Sequence, residues 1–219
     1  MNGVVETFPA LDAIPGIRAR FFGRIPDLAL RQERSKAMAL LAPRHKQLLV
    51  QEGLGDYPFV TAEQVHGNQI AVVDDTKSLS PIRGADGLLT HHRGMTIGIY
   101  VADCAPVWVV TRDGVAGALL HSGKKGTELS IITRGISLFG HLRGYHPKDL
   151  IVVIGPCIRP PCYEVDFADE IRIQAERAGV LSIHDDRICT ACHPDLYYSY
   201  RKEQGLTGRM LATLTLLPR

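Results

Sequence analysis

The sequence predicts a mixed α+β protein, and three observations carry that expectation. Strand-like apolar runs and amphipathic helical segments are intermingled, without the strict alternation of a doubly wound parallel fold. Several strand-like runs are joined by short turns, which fold neighbouring strands back antiparallel. A chain of 219 residues, 45% hydrophobic and 22% charged, can also bury one sizeable core, so a single domain over residues 1–219 is expected.

In chain order, residues 17–22 (IRARFF) alternate as a half-buried strand does. DLALRQERSKAMALLAP offers a helix with Leu30, Met38 and Leu41 among its apolar positions, ending before Pro43. A second short helix is expected from Arg44 to Glu52, stopped by Gly53. PFVTAEQVHGNQIAVVDD reads as strand, turn at His66-Gly67-Asn68, strand, and DGLLTH and MTIGIYV read as further strands.

Val107–Thr111 and Val115–Leu120 flank Asp113-Gly114, a dipeptide that favours a tight hairpin turn. GTELSIITRGISLFGHLRG then places Leu129, Ile132, Ile136 and Phe139 on one helical face. DLIVVIG is a strand, Asp166 can cap a helix running to Ala178 with Gly179 at its end, and RMLATLTLL closes the chain as a strand.

A net charge of +2 gives no electrostatic footprint for nucleic acid. No apolar run approaches the roughly 20 residues of a membrane span, and the N-terminal stretch lacks a charged-then-apolar export pattern. A cytoplasmic protein with neither membrane nor nucleic-acid partners is expected, its oligomeric state left open. Five cysteines without an export signal suggest thiols and metal ligands rather than a disulfide framework. Cys157, Cys162, Cys189 and Cys192 can be read as a four-thiolate zinc site, but prolines stiffen the first pair and the spacing fits no common zinc module. Buried or loop thiols are the expectation there.

The hairpin is where chemistry is expected. Pairing Arg112 with Val115 sets Pro106 opposite His121, which makes Cys104 and His121 diagonal neighbours roughly 7–8 Å or less apart. Taken alone, Cys104 also fits a small buried residue and His121 a solvated strand end. With His66 at a turn tip, however, two imidazoles and a thiolate make a zinc set whose fourth tetrahedral position stays open, a catalytic pattern. After His121, SGKKGTELS passes through glycines into a helix, so free N–H groups and Lys124 and Lys125 would favour an anion nearby. Asp103 fits either an acceptor that orients a metal-bound imidazole or a cap for its loop. Tyr197, Tyr198 and Tyr200 fit either a base-stacking surface or the core.

QVHGNQI, ADGLLT, VADCAPVWV, GALLHSGKKG, IGPCIRPPCYEV and CTACHPDLYYSYRKEQGLTGRM follow one another in an order that resembles the YfiH-like family, over about residues 60–216. These proteins were long labelled multicopper polyphenol oxidases or laccase-domain proteins and are now regarded as purine nucleoside phosphorylases. The resemblance implies a four-layer α/β/β/α fold, likened also to cysteine-hydrolase toxins, and a metal site on His66, Cys104 and His121. It further implies phosphorolysis of adenosine, inosine, guanosine and methylthioadenosine, with adenosine deamination alongside. Arg201 and Arg209 match family positions near the active site and become candidates for phosphate contact.

The sequence also departs from the family. The usual H-A-G-W-R-G appears as HSGKKG, which loses a planar bidentate guanidinium beside a metal ligand. The N-terminal R-x-G-G-x-S and S-L-N-L-G patterns, and L-D-L-x-x-x-N before CT, are missing. Three functions are consistent with these residues: a zinc-dependent nucleoside phosphorylase, a metal-free Cys104–His121 hydrolase acting on a peptidoglycan precursor, and a non-catalytic nucleoside- or metal-binding protein. Copper is the poorer expectation, since a multicopper centre needs many more paired histidines.

Overall fold

The computed structural model describes residues 3–28, 30–75 and 80–218. Its elements in order are β1 (Val5–Glu6), α1 (Pro9–Asp12), β2 (Ile17–Phe22), α2 (Arg34–Gln51), β3 (Phe59–Thr61), β4 (Ile70–Val72), β5 (Gly87–Thr90), β6 (Met95–Val101), β7 (Ala105–Thr111), β8 (Gly117–Ser122), α3 (Lys124–Glu128), α4 (Ile131–Arg143), β9 (Leu150–Ile154), α5 (Phe167–Arg177), β10 (Ser182–Asp185) and β11 (Met210–Leu216). The strands form two sheets, ordered β1-β2-β11-β6-β3 and β10-β9-β7-β8-β5-β4. Both mix parallel pairs, such as β3 with β6 and β9 with β10, with antiparallel ones.

Burial explains the layering. Strand β7 is buried at every position, because each face has a cover. Trp108 and Val110 point into the core shared with the first sheet, while Val107 and Val109 join Ile132, Ile136, Phe139 and Ile171 beneath α4 and α5. The Trp108 indole Nε1–H donates to the carbonyl of Thr213 at 2.9 Å and so ties the two sheets together. On the outer face of the first sheet lies α2: its His45 ring stands 5.6 Å from that of Tyr100, and Arg18 and Arg20 reach Glu52 at its end. The result is the expected α/β/β/α stack.

The hairpin has the expected register, with Pro106 facing His121. Gly114 takes φ +65° at its turn, where a Cβ would come within 2.6 Å of the Pro15 carbonyl oxygen. Asp166 caps α5 through its carboxylate, which accepts from the Asp169 amide at 3.1 Å, and Gly179 follows the helix at φ +94°.

Two expectations need correction. The two helices expected on either side of Pro43 are one, Arg34–Gln51, and Leu30 lies outside it; residue 29 of the expected helix lies outside the described residues. Ala37, Leu41, His45 and Leu48 form one buried stripe through the break, and Pro43 sits on the exposed face, where water can take the Ala39 carbonyl that its ring leaves unpaired. Pro43→Ala is therefore expected to stabilise the protein by about 1–3 kcal/mol, read as a higher urea midpoint at unchanged slope; an unchanged midpoint would show that the helix bears no strain there.

The helix expected after the hairpin is interrupted at Ser130, in the left-handed region at φ 57°, so Leu129 is 43% exposed while Ile131 joins the buried face. Around His66 the expected strand, turn and strand are present, and β3 and β4 lie in different sheets.

Candidate functional site

The site lies at the end of the sheet sandwich where β7 begins and β8 finishes, on the face turned toward the first sheet. The β7–β8 register brings Cys104 and His121 together, and the loop between β3 and β4 brings His66 over them. One ligand atom from each of the three lies within 4.8 Å of the others. The imidazoles meet edge-on, with centroids 4.9 Å apart. Gly123 permits this approach, since a Cβ there would come within 2.5 Å of the Cys104 sulfur.

A residue first seen only as part of a strand motif organises the centre. Asp86, fully buried just before β5, accepts from the amides of His66 (2.8 Å), Gly67 (2.7 Å) and Val65 (3.2 Å) and from His121 Nδ1 (2.9 Å). Burial alone would push its carboxyl up, but the hydrogen bonds from His121, Gly67 and His66 hold it below the ordinary carboxylate range. One carboxylate thus fixes the loop that carries one histidine and the ring of the other. With the Nδ1–H of His121 committed to Asp86, Nε2 is left to face Cys104. Left-handed backbone at Gln64 (φ 65°) and His66 (φ 61°) bends the loop into place, and the buried Gln64 amide satisfies both backbone groups of Tyr100, at 2.6 and 2.8 Å.

Without a metal, Cys104 and His121 form a charge pair. Burial raises the Cys104 thiol and lowers the His121 imidazole. Their mutual attraction, with Asp86 behind His121 and His66 beside Cys104, outweighs this and moves the thiol down to about 6 and the imidazole up to about 9. Two nitrogens and a readily ionised sulfur, one imidazole oriented by a carboxylate, make a donor set that suits a borderline-soft divalent ion.

Asp103 has a different part from imidazole orientation. Its carboxylate accepts from Thr190 Oγ1 (2.7 Å), Ser199 Oγ (3.0 Å) and the Arg201 amide (2.7 Å), so it ties the long connection from β10 to β11 to the start of β7. A cavity of about 1060 Å³ opens beside the triple. Lys124, Lys125, Arg201 and Arg209 all line it, joined by Arg34, Tyr163 and Tyr200. The helix behind the lysines, α3, has only five residues.

Arg201 lies over the Tyr163 ring at 4.8 Å and pairs with Glu164 at 3.0 Å. Burial and the nearby Arg34 guanidinium hold Arg209 below its ordinary value. Two close cations on a partly buried wall favour an anion between them. Arg34 escaped the sequence reading because it stands in a helix far from every motif. Tyr197 and Tyr198 belong to the core, which leaves Tyr200 to face the cavity.

Known proteins share these features of fold and sequence. Among solved structures, the chain resembles that of YlmD from Geobacillus stearothermophilus, with a TM-score of 0.81 and 25% identity over 96% of this chain and 94% of that one. It resembles that of the hypothetical protein YfiH from Bacillus licheniformis at a TM-score of 0.82 and 22% identity, covering 91% and 92%. By sequence it is 31% identical to the purine nucleoside phosphorylase YlmD of Geobacillus stearothermophilus over 70% of each chain. It is 27% identical to the purine nucleoside phosphorylase SCO2081 of Streptomyces coelicolor over 69% of this chain and 72% of that one. With residues 36–172 and 165–217 matching its pattern, the chain belongs to the multi-copper polyphenol oxidoreductase laccase family, the YfiH-like proteins.

Proposed function

We propose that the protein is a zinc-dependent purine nucleoside phosphorylase, with adenosine deamination as a companion activity. The observation that carries this reading is a three-donor metal set opening onto a cavity walled by arginines, lysines and tyrosines, in a chain whose relatives are named purine nucleoside phosphorylases. His66, Cys104 and His121 would hold the zinc. When bound, the metal would supply Lewis-acid chemistry beside the cavity.

The chain's own groups supply the rest. Tyr163 and Tyr200 offer faces for a purine ring. Arg209 and Arg34, with Lys124 and Lys125 also lining the cavity, would hold phosphate against the anomeric carbon of the ribose, replacing its lost hydration with fixed charge. Arg201 is already committed to Glu164 and contributes less unless that exposed pair opens.

The test is release of free base from adenosine and inosine by zinc-loaded protein, with and without phosphate. Phosphate-dependent release that falls at least about 100-fold in Cys104→Ala and His121→Ala, together with their zinc, is expected. No base released with phosphate present would overturn the reading. The anion wall has its own prediction. Lys125→Ala should raise the phosphate concentration needed for half-maximal rate while leaving zinc content unchanged, and salt should mimic it in part, because an exposed ammonium is screened over about 8–10 Å. Arg209→Ala should act in the same direction and more strongly, since its guanidinium is more buried. Superimposable rate curves for Lys125→Ala and the parent would remove that lysine from the phosphate site.

A second reading is supported by the charge pair. A thiolate beside an imidazolium is also the resting state of a Cys-His hydrolase. It predicts turnover of an amide substrate such as a peptidoglycan precursor by chelator-treated protein, with His66 dispensable, whereas the zinc reading predicts inactivity of both.

A further inference from the structure

Three of the remaining cysteines form a second cluster, outside the cavity lining. Cys162 sits in the turn after β9, and Cys189 and Cys192 sit at the ends of a short 3-10 turn, Thr190–Cys192, after β10. One sulfur from each lies within 4.8 Å of the other two, and Cys162 and Cys192 are 3.4 Å apart. A zinc ion with Zn–S bonds of about 2.3 Å in tetrahedral geometry needs sulfurs about 3.8 Å apart, within easy reach of this arrangement. The spacing is too wide for an S–S bond of about 2.05 Å without movement. A disulfide would also leave one of the three sulfurs unused.

The fourth cysteine of the sequence pattern does not take part. Cys157 is fully buried beneath the α4 and α5 face, where burial pushes its thiol up and keeps it protonated. It contributes through its backbone instead, exchanging hydrogen bonds with Ile188 and Thr190, so the two cysteine-bearing loops are already paired when their sulfurs meet.

We propose that Cys162, Cys189 and Cys192 form a second, all-thiolate zinc site whose fourth position is open to solvent. Cys189 is buried, Cys162 half-buried and Cys192 exposed, so an ion can enter from one side and be held from the other. The site clamps two loops that matter to the cavity. The first leads directly into Tyr163, and the second is bound to Asp103 through Thr190. It is a structural clamp, since none of its ligands touches the cavity, and it does not depend on what the cavity binds.

Zinc content of fully reduced protein, together with cobalt substitution, tests it. The parent protein is expected to hold two zinc ions per chain, Cys104→Ala one, and Cys162→Ser/Cys192→Ser one. In the Cys104→Ala background, cobalt should give an intense thiolate-to-metal absorption that is lost when Cys162 and Cys192 are also replaced. As a check that needs no variant, zinc should protect Cys162 and Cys192 of the parent from alkylation, and a chelator should restore their reactivity. One zinc per chain in both the parent and the Cys162/Cys192 variant overturns the proposal. So does a Cys162–Cys192 disulfide that forms in air while the reduced thiols stay equally reactive with and without zinc. Failure of phosphorolysis would leave these readouts untouched, because the Cys104→Ala protein has already lost the other metal centre.

Discussion

Asp86→Ala is expected to lower zinc affinity at the His66, Cys104 and His121 centre by roughly 10–100-fold and to destabilise the metal-free protein by about 3 kcal/mol or more. Both effects follow from four hydrogen bonds that converge on one buried carboxylate. Without it, the three part-buried hydrogen bonds from amides of the Val65–Gly67 turn lose their acceptor, and the buried His121 loses the partner that fixes its tautomer. His66 would then be held only by a strained loop. Asp86→Asn separates the two contributions: its single carbonyl oxygen can still accept, but its NH₂ would oppose donors on the other side, so an intermediate loss of stability and of zinc is expected. Urea unfolding of the metal-free proteins, paired with competitive zinc titration, measures both quantities. If Asp86→Ala binds zinc like the parent, the carboxylate has no part in organising the centre.

Why Asp86 was overlooked shows what a sequence can and cannot disclose. Cys104 and His121 were legible because one turn joins their strands: Asp113-Gly114 sets the register, and the register sets the distance. His66 was legible from its turn and from the family motif around it. Asp86 is joined to them by pairing of β5 with β8, a contact between segments 35 residues apart that no local signal announces. Arg34 has the same character, since it lies at the start of a helix whose placement across the outer sheet is a tertiary matter.

The fold divides in the same way. Buried strands such as β6, β7 and β9 reveal themselves by composition, and the α5 cap by Asp166. The continuation of α2 through Pro43 was illegible, because a buried stripe running from Ala37 to Leu49 outweighs the local penalty of one exposed proline. The break at Ser130 was hidden for the opposite reason: an apolar period ran on through a residue that the backbone turns left-handed.

The second large effect concerns the Cys104 thiol in metal-free protein. Its ionisation is expected to follow a midpoint near 6, where an ordinary thiol would titrate near 9.0. At pH 7 the sulfur is then about nine-tenths thiolate, against roughly one part in a hundred for an unperturbed thiol. As pH falls through about 6 the sulfur takes up a proton and the pair is lost from that side. As pH rises through about 9, His121 gives up its proton and the pair is lost from the other.

Site-resolved alkylation against pH reads this directly, and the midpoint rather than the rate is the quantity to compare, because a thiolate of lower pKa is also a weaker nucleophile. His121→Ala removes the largest favourable charge and should return the midpoint toward or above the ordinary value, since burial then acts with less opposition. Zinc should suppress the Cys104 titration wherever it stays bound, and so move the apparent midpoint to lower pH. A parent midpoint near 9, unmoved by His121→Ala, would mean that no thiolate–imidazolium pair exists, and the metal-free hydrolase reading would lose its only structural support. A midpoint near 6 that zinc suppresses would instead mean that the metal competes with protons for a preformed anionic ligand, so zinc affinity must weaken steeply as the medium is acidified below that midpoint.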